Sequence, residues 1–113
     1  MEPEGDMVRV CPFGEVDIET VGQIREQLKN AAATGAKHVV LDLRGVTFLD
    51  STGLHLVLEA DVASRAQRWE FGLIGGPAHV QRVFDLTGAR ARLPFLTASE
   101  LAALLTAPRE APS

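Results

Sequence analysis

The stretch Val39-Val40-Leu41-Asp42-Leu43-Arg44-Gly45-Val46-Thr47-Phe48-Leu49-Asp50-Ser51-Thr52-Gly53-Leu54 decides the fold. Its first five residues are apolar apart from Asp42 and open on two β-branched valines, the composition of a strand covered on both faces in a parallel sheet. Beyond a polar loop, Leu54, Val57, Leu58 and Val62 recur at the spacing of one apolar helix face. Asp50-Ser51-Thr52-Gly53 therefore marks a helix N-terminus. On the local pattern alone, Asp50 or Ser51 caps that helix by accepting an orphan backbone N–H. A phosphate on Ser51 is physically open as well, since it would meet the positive end of the helix dipole.

Working outward, Met7 to Cys11 alternates as a half-buried strand that Pro12 ends, and Cys11 reads as a small buried hydrophobe within it. Thr20 with Gln23 forms a possible capping box for a helix whose apolar face is Val21, Ile24, Leu28 and Ala31/Ala32, closed by Gly35. Asp17 reads as a turn or cap residue. Downstream, Trp69 to Ile74 alternates as a strand until Gly75-Gly76-Pro77 breaks it, with Pro77 suited to the first turn of the next helix. That helix carries Val80, Val83, Phe84 and Thr87 and stops at Gly88. A short strand near Leu93 to Leu96 precedes a last helix, opened by a Thr97–Glu100 capping box before Leu101, Leu104 and Leu105.

Strands alternating with helices predict an α/β domain: a mixed, mostly parallel sheet of about four strands with about four helices, most of them on a common side. The domain is expected over residues 7–106, with 1–6 as an N-terminal segment and 107–113 as a flexible tail. At 113 residues and 46% hydrophobic content, the chain can bury one core and hardly a second.

Composition narrows the function. The net charge is −4, and nine arginines and two lysines are scattered without a basic stripe, which argues against direct nucleic-acid binding. One cysteine permits no intrachain disulfide. With no apolar run of about 18 residues and an acidic start, a soluble cytoplasmic protein without membrane association is expected. His38, His55 and His79 lack zinc-type spacing, so no metal is expected. Gly75-Gly76 lacks the lysine and hydroxyl residue of a phosphate loop. Ser51 lacks the glycine-framed elbow of the α/β-hydrolases, and Asp50-Ser51-Thr52-Gly53 has one residue too many for an aspartic-protease loop. Neither an enzyme nor a cofactor is expected.

The segment from Leu41 to Leu54 resembles the signature of STAS domains (sulphate transporter and anti-sigma factor antagonist), above all the free-standing anti-sigma factor antagonists. Gly14-Glu15-Val16-Asp17, Val80 to Gly88 and Leu93-Pro94-Phe95 fit the same family, so the likeness covers roughly residues 8 to 105 in order. The resemblance implies that Ser51, and less so Thr52, is phosphorylated by a partner kinase. It also implies a partner-facing surface of Asp17, Asp50, Ser51, Thr52, Gly53, Leu54 and His55. The implied partner is an anti-sigma factor serine kinase of the GHKL-type ATPase fold, with a serine phosphatase to reset the switch. The unphosphorylated protein, a monomer or weak dimer, would dock on the kinase and free a sigma factor. Two departures stand out: His55 occupies a place where antagonists commonly carry a small residue, and the usual strand before Met7 is missing, which would leave a sheet edge open. A constitutive STAS assembly module, in a lipid-transport ATPase or a stress-signalling scaffold, is the alternative that needs no phosphorylation.

Overall fold

A computed structural model describes residues 2–4 and 6–106, with only the backbone described for Glu2–Glu4. The expected tail, 107–113, lies outside the described residues. Among the described residues, six strands and four α-helices follow in the order β1 (Glu2–Glu4), β2 (Met7–Val10), β3 (Gly14–Val16), α1 (Val21–Ala33), β4 (His38–Asp42), β5 (Val46–Leu49), α2 (Ser51–Gln67), β6 (Glu70–Ile74), α3 (Ala78–Leu86) and α4 (Ala98–Thr106). The four-stranded sheet has the order β1-β2-β4-β6, with β2, β4 and β6 parallel and β1 antiparallel to β2. A separate parallel ribbon pairs β3 with β5.

The strand expected to be missing is therefore present, and β1 covers the edge of β2 through the register Glu2↔Arg9, Pro3↔Val8 and Glu4↔Met7. Its Glu-Pro-Glu composition carries no strand signal, because the pairing uses backbone groups alone. The ribbon strand β5 was expected as loop. Two of its four residues, Thr47 and Phe48, are exposed, so it shows neither alternation nor a buried run.

Alternate residues of the central strand divide the core. Val39 and Leu41 join the main cluster with Val8, Val10, Phe71 and Leu73, covered by Ile24 and Leu28 of α1, Leu56 and Val57 of α2, and Val80 and Phe84 of α3. Val40 faces the opposite way, with Met7 and Ile74, under Leu101 and Leu104 of α4. Three helices thus share one side of the sheet, as expected. β6 is buried from Phe71 to Ile74, on both faces, where the sequence suggested alternation. Near Leu93 to Leu96 the structure has only a bridge, Leu73 to Phe95, held by Leu73 N–H to Pro94 O at 3.0 Å and Leu96 N–H to Leu73 O at 2.8 Å.

Local signals were met unevenly. Thr97 and Glu100 form the expected reciprocal box, with bonds of 3.1 and 3.0 Å. Gly88 adopts φ 74°, the left-handed conformation that ends α3, whereas Pro77 sits at the N-cap, one place before the first turn. Val62 is exposed, since eight residues place it about 80° around the helix from Leu54. Cys11 lies just beyond β2, half-buried, with its sulfur 3.9 Å from Asp42 Oδ2.

Candidate functional site

The ribbon brings two loops together. Val16 and Leu49 are paired and buried, so the chains leaving β3 and β5 emerge side by side as Asp17 and Asp50. A bond from Asp50 N–H to Val16 O, 3.3 Å, ties them.

In the first loop, Asp17 Oδ1 accepts the N–H groups of Glu19 and Thr20 at 3.0 and 3.2 Å. The Thr20 hydroxyl accepts Asp17 N–H at 3.0 Å and donates to Glu15 O at 2.8 Å. Thr20 sits at the N-cap of α1, but its side chain makes no cap bond, so the expected box with Gln23 does not form. Its hydroxyl is already committed to the turn before the helix, and Asp17 supplies the local acceptor instead.

In the second loop, Asp50 is extended, with φ −102° and ψ −169°, and its Oδ1 accepts Thr52 N–H at 2.9 Å and Gly53 N–H at 3.1 Å. Capping therefore belongs to Asp50, and Ser51 is left exposed at the first helical position. Thr52 is half-buried. Gly53 and Leu54 are buried, so their part is to seat the helix. A β-carbon on Gly53 would fall 2.8 Å from Leu49 Cγ, an approach only glycine permits. His55 is exposed one turn beyond Ser51, on the same helix face. Asp17, Asp50, Ser51 and His55 thus share one end of the molecule, with the exposed carboxylates of Glu15 and Glu19 alongside Asp17.

Two exposed apolar residues here were not singled out in the sequence: Ile18, 78% exposed, and Phe48, 48% exposed. Ile18 interrupts the polar run Asp17 to Thr20, and that interruption was the available signal.

A different charged cluster lies at the end of β4. Asp42 is 6% exposed and pairs with Arg44 at 2.7 Å and Arg9 at 3.5 Å. Burial pushes the Asp42 carboxyl up, but the Arg44 guanidinium and backbone N–H, with Arg9 behind them, outweigh it and hold the group below the ordinary carboxylate range. This arrangement fixes the strand end. Among the described residues, no group of three His, Cys, Asp or Glu side chains could hold a metal ion, and no helix is long and apolar enough to cross a membrane.

Comparison with known proteins identifies the family and the fold. The STAS domain family matches residues 3–102, and the chain belongs to that family. The anti-sigma-B factor antagonist of Staphylococcus aureus is 30% identical over 77 residues, 68% of this chain and 71% of that protein. Its counterpart in Staphylococcus epidermidis is 31% identical over 85 residues, 75% of this chain and 79% of that one. Among solved structures, the unphosphorylated anti-sigma factor antagonist SpoIIAA superposes with a TM-score of 0.69 at 27% identity, over 88% of this chain and 87% of its own. An anti-sigma factor antagonist from Mycobacterium paratuberculosis shares the fold, with a TM-score of 0.72 at 23% identity over 92% and 89%.

Proposed function

We propose that this chain is an anti-sigma factor antagonist. Its unphosphorylated form docks on an anti-sigma factor serine kinase of the GHKL-type ATPase fold and so releases a sigma factor; phosphorylation of Ser51 ends the docking. The observation that carries this reading is the exposure of Ser51 beside a capped helix start, in a chain whose relatives are named anti-sigma-B factor antagonists.

The geometry supports a switch that works through charge. A phosphoserine brings about −1.5 to −2 charges at neutral pH. The nearest inward-facing donors, Thr52 N–H and Gly53 N–H, are already taken by Asp50, so the phosphate projects from the surface. A docked partner must strip water from that group next to the Asp50 carboxylate, which costs on the order of several kcal/mol of affinity. Ser51 takes precedence over Thr52 because it is exposed and Thr52 is half-buried. In this reading the kinase brings ATP and Mg²⁺, a serine phosphatase removes the phosphate, and the chain itself is ligand and substrate.

The test is intact mass with site mapping after incubation with ATP, Mg²⁺ and each kinase-type anti-sigma factor encoded in the same genome, alongside Ser51→Ala. One phosphate, absent from Ser51→Ala, is expected. Kinases that bind the protein and leave it unmodified would point instead to the constitutive assembly module.

A further inference from the structure

The turn between β3 and α1 is fixed by four hydrogen bonds within six residues: Asp17 Oδ1 holds two backbone N–H groups, and the Thr20 hydroxyl links Asp17 N–H to Glu15 O. On that turn stands Ile18, 78% exposed, while Val16 and Val21 on either side are buried at 3% and 5%. The core has thus taken both flanking aliphatic residues and left this one in water. Because the turn is held by its own side chains, Ile18 cannot fold back onto the core without breaking those bonds. A β-branched side chain on a fixed backbone also has few rotamers to lose on contact.

Position gives the exposure a purpose. Val16 pairs with Leu49 across strands about 4.8 Å apart, and Ile18 and Ser51 each lie two residues beyond that pair. An interface of ordinary size buries about 800 Å² on each partner, a patch on the order of 30 Å across. A protein surface centred on Ser51 therefore also covers Ile18.

We propose that Ile18 is the apolar anchor of the docking surface, entering a pocket for a branched aliphatic side chain on the anti-sigma kinase. This rests on the docking reading above and adds to it a residue that makes affinity where Ser51 makes control. Anchors of this kind, pre-positioned and desolvated on binding, carry a large share of interface energy.

The experiment is calorimetric titration of the unphosphorylated protein with the purified kinase-type anti-sigma factor, for wild type, Ile18→Ala and Leu86→Ala, with thermal melts of each. Leu86 is also 78% exposed but sits at the end of α3, outside the turn. Ile18→Ala is expected to weaken binding roughly ten- to a hundredfold with an unchanged melting temperature, and Leu86→Ala to bind as wild type. Equal affinity of Ile18→Ala and wild type overturns the proposal, as does an equal loss in Leu86→Ala. Should wild type bind no such kinase, the docking reading itself fails and takes the anchor with it.

Discussion

Val16 sets how closely α2 can begin against the β3–β5 ribbon: a β-carbon placed on Gly53 would lie 2.9 Å from Val16 Cγ1. Both residues are buried, and Leu49 closes the same space from the other strand. Gly53→Ala must therefore push the first turn of α2 outward. We expect a loss of about 1–3 kcal/mol in urea unfolding, and slower phosphorylation of Ser51 at equal folded fraction. Unchanged stability would show that the side chains of Val16 and Leu49 yield without cost.

Asp50 holds two backbone N–H groups, so Asp50→Ala should lower the urea midpoint by the equivalent of about 1 kcal/mol with an unchanged slope. Asp50→Ser, which keeps a capping oxygen and drops the charge, should recover most of that loss. If it recovers none, the stabilisation comes from the charge at the helix start and the capping account is wrong.

Ser51→Asp places one charge and a shorter group where phosphoserine has nearly two charges. Its affinity for the anti-sigma partner should fall between those of the unphosphorylated and phosphorylated protein, about tenfold below the former. Ser51→Ala should bind as unphosphorylated wild type even after incubation with ATP. Parity of all three forms in a titration would remove the charge argument.

Asp42 is held below the ordinary carboxylate range, so the stability it contributes is present above the carboxylate's unfolded titration, near pH 4, and is lost as pH falls through the lower folded value. Asp42→Asn should cost about 1–3 kcal/mol at pH 7, moderated because the Arg44 side chain is 56% exposed. Chemical denaturation at several pH values should show the two proteins converging below about pH 4. A constant difference down to pH 2 would assign the loss to packing.

Thr97 and Glu100 cap a helix with no fully buried residue, resting on the small cluster of Met7, Val40 and Ile74. Thr97→Ala should therefore act locally. Hydrogen exchange of α4 amides is expected to quicken about fivefold while β4 keeps its protection. Equal loss in β4 would mean that α4 and the sheet open as one unit.

The parts of this molecule legible in the sequence are those whose signal is carried by neighbours along the chain. The run through Leu41, the capped start at Asp50 and the apolar face of α1 each sit within a single strand or helix, and the structure has them. β1 and β5 were unreadable because backbone pairing with a distant segment makes them strands: Glu2–Glu4 on β2, and Val46–Leu49 on β3 some thirty residues earlier. Thr20 shows a different limit, since two local acceptors competed for one helix start and spacing does not say which wins. At the candidate site, Ser51 stood out by its place at a helix start and Asp17 by likeness to a family; that Asp50 alone takes the cap, leaving the hydroxyl outside, needed coordinates.

The β3–β5 ribbon forms its own ladder, apart from the four-stranded sheet. The exposed residues just beyond its tip, Ile18, Glu19 and Ser51, take no part in the pairing of the four-stranded sheet. If partners dock at these positions, as proposed above, changes there alter which partner is met while the pairing that folds the sheet stays as it is.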